Sequence, residues 1–394
     1  MWETILNVWK ERNPHREPRI ESREFRPPHW RSYSIRRTSR KQHPSRALTE
    51  ADRCVTSALL PLTGLVPGEP SAAAATALPD ISRGNCFRRQ NTMRRMDSQQ
   101  PNFFAGPYID RRAEEREQAG WARAALEDST TLYLLASGTR HLVYTRPEPR
   151  IAFLEGAAAT SLAAADASRL VLLGWFRERR CVLVEVGDPA AADLPPDASF
   201  EELRPLSPII AGAEAGLLAY ARALSIWRAR QRYCGACGAP TITQRAGHSM
   251  RCSKEGCAQE FFPRIDPAII VLVTDGERAL LGRQATWPAG RYSTIAGFVE
   301  PGESLEDAVA REVMEETCVS VTGARYDSSQ PWPFPASIML GFRAWGRPES
   351  AVRCTGELED ARWFSRDEIR AGAALLPTAY SISYRLIATW LDGK

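Results

Sequence analysis

Short runs in which apolar residues dominate or alternate with polar ones occupy the chain from about residue 131 to residue 186, separated by Gly, Pro and polar residues. Such runs are typical of β-strands. They read TLYLLASG, HLVYT, RIAFLE, SRLVLLGWF and CVLVEV, predict an antiparallel sheet, and contain no catalytic grouping. A short charged helix is predicted before them, in DRRAEEREQAGWARAAL, and a longer helix after them, from about Glu214 to Arg230.

A second set of strand-like runs begins after Pro263. PAIIVLVTD, RALLGRQ and STIAGFVE precede an acidic helix, and SVTGARYDSSQ, ASIMLGFRAWG and ARWF follow it. Two further helices are predicted, one in SRDEIRAG and one from near Thr378 to the end of the chain. Strands that alternate with helices in this way predict an α/β (α+β) fold, here an α/β/α sandwich.

The acidic helix carries two different faces. Leu305, Val309 and Val313 recur at i, i+4 and i+8 and should pin the helix to a core. The other face carries Glu312, Glu315 and Glu316. An acidic face of this kind is often merely solvated. Carboxylates this close repel one another, however, and hard oxygen ligands suit Mg²⁺ or Mn²⁺ bound to substrate phosphates.

Four cysteines cluster in YCGACG…MRCSKEGCAQEFFPR. Cys234 and Cys237 form a C-x-x-C pair, and Cys252 and Cys257 form a second pair with four residues between them. Thiolates at this spacing suit a structural, tetrahedral Zn²⁺. Free thiols or a lapsed site are the alternatives, because the second knuckle is longer than usual, although Gly256 gives it room to turn.

The chain has 394 residues, of which 44% are hydrophobic, which is enough for two or three domains. We expect no contact with a membrane, because no apolar run reaches the length of a transmembrane helix and the N-terminus lacks a secretory signal. Nine cysteines, four of them in a metal-binding pattern, indicate a reducing compartment, so a cytoplasmic location is expected.

The basic charge is confined to the N-terminal quarter. Residues 1–96 contain 18 Lys and Arg against 9 Asp and Glu, whereas the remainder has a net charge of −5. An Arg, Pro and Ser-rich stretch followed by an Ala-rich one predicts a disordered leader, or a start assigned upstream of Met93 or Met96. A nucleic-acid-binding arm is the alternative, and a transit peptide is disfavoured by the acidic residues here.

The acidic helix and the loop before it resemble the signature of the Nudix hydrolases. Gly297 is followed after five residues by Glu303, and after seven more by the run Arg311 to Glu316, REVMEE. One position departs from the signature, since Cys318 stands where a glycine is expected. If the helix ends there in a left-handed conformation, the side chain costs about 1 kcal/mol of stability.

A second motif, SQPWPFPAS, narrows the resemblance. Its three prolines and the rings of Trp332 and Phe334 predict a rigid, extended loop on which a base or nicotinamide could stack. Packing of this loop against the core is the alternative. From about residue 97 onward, the strand-rich region, the four cysteines, the acidic helix and this motif resemble, in that order, the NADH pyrophosphatases, a Nudix branch that includes hydrolases of NAD-capped RNA.

The resemblance implies a role for particular residues. Glu312, Glu316, Glu357 and the carbonyl of Ala296 are expected to bind the catalytic Mg²⁺ or Mn²⁺, Glu315 to be a further ligand or to activate water, and Arg311 and Glu303 to support the carboxylates. Expected substrate contacts are Phe262, where the family often has tyrosine, and Gln330, Pro331, Trp332, Pro333, Phe334, Pro335, Ala336, Ser337 and Ala379.

We therefore divide the chain into a leader (1–96), a strand-rich domain that ends in a helix (97–230), a zinc ribbon (231–264) and a Nudix domain (265–394). The resemblance implies metal-dependent hydrolysis of NAD(H) to NMN(H) and AMP, removal of NAD caps from RNA, and a homodimer. Hydrolysis of ADP-ribose or another dinucleotide is one alternative. A nucleic-acid-binding protein with a vestigial hydrolase domain is the other, which the intact glutamates disfavour.

Overall fold

The computed structural model describes residues 101–156, 166–187, 194–347, 352 and 356–393. The prediction for residues 1–96 falls outside these residues. Three sheets follow one another along the described chain: a seven-stranded N-terminal sheet, a three-stranded ribbon and a six-stranded C-terminal sheet. No helix in the described ranges is long and apolar enough to cross a membrane.

The strands of the three sheets are numbered in chain order. The N-terminal sheet contains β1 (Ile109–Asp110), β2 (Leu132–Ser137), β3 (Arg140–Tyr144), β4 (Arg150–Ile151), β5 (Leu170–Phe176), β6 (Arg179–Glu185) and β7 (Ala198–Glu202). The ribbon contains β8 (Thr241–Gln244), β9 (Ser249–Cys252) and β10 (Glu260–Phe261). The C-terminal sheet contains β11 (Asp266–Thr274), β12 (Arg278–Arg283), β13 (Ile295–Phe298), β14 (Val321–Trp332), β15 (Ser337–Gly346) and β16 (Asp360–Ser365).

Six α-helices accompany these strands in the described residues. They are α1 (Trp121–Glu127), α2 (Leu203–Leu206), α3 (Gly212–Arg230), α4 (Leu305–Thr317), α5 (Arg366–Arg370) and α6 (Ile382–Leu391). The predicted charged helix is broken, because Gly120 has a left-handed conformation between a 3₁₀ turn (Ala113–Glu117) and α1. The last helix begins at Ile382 rather than near Thr378, and the side chain of Ser381 caps it.

The N-terminal sheet has the strand order β1-β5-β6-β2-β3-β4, and β7 pairs with β3. The prediction of a purely antiparallel sheet was wrong at one pair, since β2 runs parallel to β6. The side chains of β2 are buried on both faces of the sheet, as is usual beside a parallel neighbour, and such a run does not reveal strand direction. Helix α3 covers one face, and α1 packs on the other.

The C-terminal sheet has the order β14-β15-β11-β12-β16, and β13 pairs with β11. Successive residues of β11 point to opposite faces. Ile269 and Val271 pack with α4, whereas Ile270 and Leu272 pack with α5 and α6. Helices therefore cover both faces, and the predicted sandwich is confirmed.

Candidate active site and zinc centre

Helix α4 is fixed at its start and along one side. The hydroxyl of Ser304 accepts a hydrogen bond from the backbone N–H of Asp307, and the Asp307 carboxylate accepts one from the backbone N–H of Ser304, forming a capping box. Ala308, Val309 and Val313 are fully buried against the sheet. The carboxylates that follow on this helix therefore have fixed positions relative to β13.

Gly297 in β13 lets the helix approach the sheet closely. A Cβ atom added at this residue would lie 1.9 Å from Cδ of Glu312 and 2.0 Å from its Oε1. Only a residue without a side chain leaves room for the carboxylate in this position. The glycine that opens the sequence signature is thus a packing requirement of the site.

Arg311 connects the loop to the carboxylates. Its Nε and Nη2 donate to the two carboxylate oxygens of Glu303 at 3.0 and 2.6 Å, and Nη2 also donates to the carbonyl of Phe298 at 2.9 Å. Nη1 donates to Glu312 at 2.9 Å and to Glu315 at 3.0 Å. The hydrogen bonds from Arg311 lower the pKa of Glu303 to about 2. Glu303 and Arg311 therefore form a charged brace that holds Glu312.

Glu312 and Glu316 are buried carboxylates, 8% and 7% exposed. Burial raises the pKa of Glu316 to about 8, and the nearby charges of Glu312, Glu357 and Glu315 add to the effect. Burial likewise raises the pKa of Glu312, against the opposing effect of Arg311. Two buried carboxylates that repel each other are stabilised when a cation binds between them.

The residues present fit a divalent cation. Within the part of the chain that the structure describes, no hydrogen bond or ion pair to the Glu316 carboxylate is found, so its oxygens are available as ligands. Glu357 lies near enough to raise the pKa of both buried glutamates, but it is exposed, and these carboxylate oxygens do not form a group within 4.8 Å of one another.

A cavity of about 490 Å³ opens beside these carboxylates. Of the residues predicted from sequence, Ala296, Glu316, Gln330 and Trp332 line it. The other predicted substrate residues do not line this cavity: Phe262, Pro331, Pro333, Phe334, Pro335, Ala336, Ser337 and Ala379. A larger cleft of about 1270 Å³ lies between the N-terminal sheet and the ribbon, and it contains none of the predicted catalytic residues.

Gln330 is fully buried and holds three segments together. Its amide nitrogen donates to the carbonyls of Phe103 at 3.1 Å and Tyr380 at 2.7 Å, and its amide oxygen accepts from the N–H of Ile382 at 2.8 Å. Every polar group of this side chain is thereby engaged with protein. Gln330 therefore acts in the cavity wall by positioning these three segments.

The proline and aromatic motif is part strand and part turn. Strand β14 continues to Trp332 and pairs with the beginning of β15, so the predicted loop is shorter than its sequence implies. The Trp332 ring lies along the cavity and is stacked with that of Tyr380, with 6.4 Å between centroids. The Phe334 ring packs beside Phe104 of the N-terminal core. Of the two aromatic residues, only Trp332 lines the cavity described above.

Most residues that line the cavity were not expected from sequence, and Tyr380, Arg204 and Arg291 are among them. Tyr380 follows the predicted Ala379, and aromatic character next to that position was the signal that could have identified it. Arg204 belongs to α2 of the N-terminal region, and the next lining residue in the sequence, Ile270, follows it after 66 positions. No local pattern could have assigned it to this cavity.

The four cysteines of the ribbon meet as predicted. The Sγ atoms of Cys234, Cys237, Cys252 and Cys257 all lie within 4.8 Å of one another, with 3.8 Å between Cys234 and Cys257 and 3.4 Å between Cys237 and Cys252. Sulfur atoms around a tetrahedral Zn²⁺ lie about 3.8 Å apart, given Zn–S bonds of about 2.3 Å. The arrangement fits a structural zinc ion, and the longer second knuckle does not prevent it.

The sandwich, the braced acidic helix and the adjacent cavity define a Nudix hydrolase, and residues 264–389 match the family described as NUDIX domain. Residues 130–227 match the NADH pyrophosphatase-like rudimentary NUDIX domain, and residues 229–262 match the NADH pyrophosphatase zinc ribbon domain. The chain therefore belongs to the NADH pyrophosphatase family of Nudix hydrolases.

Two relatives agree with this assignment. The NAD-capped RNA hydrolase NudC of Mycobacterium bovis is 40% identical over 297 residues, which cover 70% of this chain and 88% of the relative. The NAD-capped RNA hydrolase NUDT12 of Macaca fascicularis is 32% identical over 343 residues, which cover 74% of this chain and 73% of the relative.

Proposed function

We propose that the chain hydrolyses the diphosphate bridge of NAD(H), giving NMN(H) and AMP, and removes NAD caps from the 5′ ends of RNA. The observation that carries the proposal is the pair of buried carboxylates, Glu312 and Glu316, beside a cavity with an aromatic wall. The names of the two relatives support the choice of substrate.

Each step of the chemistry has a candidate residue. Glu312, Glu316, Glu357 and the carbonyl of Ala296 would hold divalent ions, which would supply positive charge beside the diphosphate and a water of lowered pKa. The oxygen of that water joins one phosphorus atom, the P–O bond of the bridge breaks, and the bridge oxygen leaves on the other phosphate. Glu315 is a further ligand or accepts the proton of the water.

The cavity offers a ring of the substrate a place beside Trp332 and Tyr380. Stacking on an aromatic side chain contributes about 1–3 kcal/mol per base. Gln330 holds this wall in place, since its hydrogen bonds join β14, the segment before α6 and the N-terminal segment. The predicted contacts at Phe262 and Ala379, both exposed, belong to the proposal as well.

The test is hydrolysis of NADH and of an NAD-capped RNA, with Mg²⁺ or Mn²⁺, by the wild type and by Glu316→Gln. We expect the wild type to cleave both and the variant to lose at least 100-fold in kcat, a loss that removal of one group stabilising the transition state can cause. Glu306→Gln is the matched control, because Glu306 is exposed in the first turn of the same helix.

Two results would contradict the proposal. Retained turnover in a folded Glu316→Gln variant would remove this carboxylate from the reaction. Cleavage of ADP-ribose or another dinucleotide, but of neither NAD(H) nor capped RNA, would place the chain with Nudix hydrolases of another specificity.

The proposal extends to the state of the protein in the cell. Oxygen ligands support Mg²⁺ or Mn²⁺ as the catalytic ion. The six described cysteines are free of disulfides, which supports a reducing compartment such as the cytoplasm. The proposal also includes a homodimer, which light scattering would test. It further includes domain boundaries near residues 96, 230 and 264, which limited proteolysis would test.

A further inference from the structure

The cleft between the N-terminal sheet and the ribbon has no part in the proposed reaction. Its volume is about 1270 Å³, which leaves room for a nucleotide with bound water, since small-molecule sites usually have about 300–1,000 Å³. Its walls are formed by residues 116–122, residues 166–170 with the ends of β2 and β6, the last turns of α3, and residues 240–246 of the ribbon. None of the residues that line the active-site cavity lines this cleft.

The walls of the cleft are held together by Arg228 of α3, which is 7% exposed. Its guanidinium donates to the carbonyl of Ser168 at 2.7 Å, to Oε2 of Glu185 at 3.1 Å and to Oγ1 of Thr243 at 3.3 Å. These three bonds join the segment before β5, strand β6 and the ribbon to the same helix. The cleft therefore has a fixed shape.

The lining of the cleft is basic. Its charged residues are five arginines and three carboxylates, namely Arg116, Arg169, Arg228, Arg232, Arg245, Glu117, Asp166 and Glu185. Each of the three carboxylates forms an ion pair with one of these arginines, with N–O distances between 2.5 and 3.1 Å. The other two arginines, Arg116 and Arg232, have no carboxylate within ion-pair distance among the residues that the structure describes. Two positive charges of the cleft are thus left without an ion-pair partner.

Neither of these two guanidinium groups is fully engaged with protein. Arg116 donates from Nη2 to the Arg111 carbonyl and the Tyr220 hydroxyl, both at 3.3 Å, but its Nε is buried and has no hydrogen-bond partner in the described part of the chain. The side chain of Arg232 is exposed and makes no hydrogen bond, ion pair or ring contact with a described residue. A buried donor without a partner costs free energy, and an available guanidinium is suited to bind a phosphate.

Two aromatic side chains line the same cleft. Trp121 at the start of α1 is half-buried, and Tyr233 before the ribbon cysteines is 64% exposed. Aromatic and guanidinium groups together suit a base joined to phosphates, because the ring stacks and the charges pair. A strand of RNA would need more cations, since a groove that binds a single strand follows about 4–16 nucleotides of backbone. Two available arginines match a single nucleotide better.

We propose that this cleft is a second nucleotide site, which binds a free nucleoside polyphosphate through Arg116, Arg232 and Tyr233. The site is distinct from the active-site cavity, and the inference does not depend on the proposed function, because it concerns binding and not turnover. It gives the junction of the N-terminal sheet and the ribbon a role of its own.

The experiment measures binding of ATP to the zinc-loaded full chain by equilibrium dialysis, without added Mg²⁺ or Mn²⁺. The wild type is compared with Arg232→Met, Tyr233→Ala and, as a change in the active-site cavity, Trp332→Ala. Arg251→Met is the matched control, since Arg251 is an exposed arginine of the ribbon that does not line the cleft. Tripolyphosphate, used as a competitor, supplies the charge without a ring. Equal thermal midpoints would confirm that the variants are folded.

We expect one saturable site per chain in the wild type. Arg232→Met should raise the Kd about tenfold, the usual scale of one charge-assisted hydrogen bond. Tyr233→Ala should raise it about fivefold, and tripolyphosphate should compete about fivefold more weakly than ATP, as the loss of ring stacking predicts. Arg251→Met and Trp332→Ala should each change the Kd by less than about twofold.

Absence of saturable binding at millimolar ATP would overturn the inference. Binding that Trp332→Ala abolishes and Arg232→Met leaves unchanged would also overturn it, because the nucleotide would then lie in the active site. Equal competition by tripolyphosphate would contradict a nucleotide as the ligand. An oligoadenylate that binds about 100-fold more tightly than ATP would contradict a free nucleotide and favour a strand of RNA. Failure of the proposed function is a separate result, since NADH would then stay uncleaved whether or not ATP binds.

Discussion

The two large sheets of the molecule have the same topology. The order β5-β6-β2-β3-β7 in the N-terminal sheet corresponds to β14-β15-β11-β12-β16 in the C-terminal sheet. Each has one parallel pair at the same place, β2 with β6 and β11 with β15. The segment around Leu154, which bridges to β2, takes the place that β13 has beside β11.

The sheets differ in one connection, which follows β13 in the C-terminal sheet and the segment around Leu154 in the N-terminal sheet. In the C-terminal sheet it contains the capped helix α4 and its glutamates. In the N-terminal sheet it spans residues 155–169, whose only acidic residues are Glu155 and Asp166. Both of these are paired with arginines, at 2.7 Å to Arg179 and 3.0 Å to Arg169. The common topology is therefore a scaffold, and most of the candidate catalytic residues lie in a single connection.

The close approach of α4 to β13 at Gly297 gives the largest expected effect. It tests whether the geometry of this connection is what separates the two sheets. Gly297→Ala should lower kcat about 100-fold, because the new Cβ would displace the Glu312 carboxylate and a misplacement of about 1 Å can cost that much. Turnover of NADH under saturating Mg²⁺ is the measurement.

Gly323→Ala serves as the control for Gly297→Ala, because its Cβ would meet Trp345 at an ordinary 3.6 Å. Full activity in a folded Gly297→Ala variant would mean that Glu312 can move without loss, and that the geometry of this connection is not what separates the two sheets.

Local patterns in the sequence were enough to predict the acidic helix and the zinc ribbon. The acidic helix, its apolar stripe and the four cysteines each depend on residues close together in the chain, and the structure confirms their placement. The parallel strand pairs, the burial of Gln330 and the approach of Arg204 depend on contacts between distant segments. The bond from Gln330 to Phe103 spans 227 residues, and no local periodicity records it.

Acid sensitivity should arise in the N-terminal sheet. His141 in β3 is fully buried, and neither ring nitrogen has a hydrogen-bond partner in the described residues. Burial, followed by the charge of Arg222, lowers the pKa of His141 to about 3. The unfolded state binds a proton near its ordinary pKa of 6.5 and the folded state does not, so stability falls as the pH drops from 6.5 toward 3.

His141→Leu should remove the contribution of His141 to this dependence, and the contribution of His248, whose pKa burial also lowers to about 3, should remain. Between pH 7 and pH 5 we expect the wild type to lose about 2 kcal/mol of unfolding free energy that the variant retains, measured from urea midpoints. The difference between the two proteins at pH 7.5 gives the effect of the substitution itself. Parallel stability curves across this range would show that His141 is not the source of the acid sensitivity.

The end of α4 offers the smallest of the expected effects. Cys318 ends the helix with φ of 59°, which is a left-handed conformation. The signature has a glycine at this position, and glycine adopts that conformation without strain. Cys318→Gly should therefore stabilise the protein by about 1 kcal/mol, with turnover unchanged because no carboxylate moves. Cys318→Ala removes the thiol but keeps a Cβ, so it should not stabilise. Equal stabilisation by both substitutions would attribute the cost to the thiol and leave the backbone of this helix end unstrained.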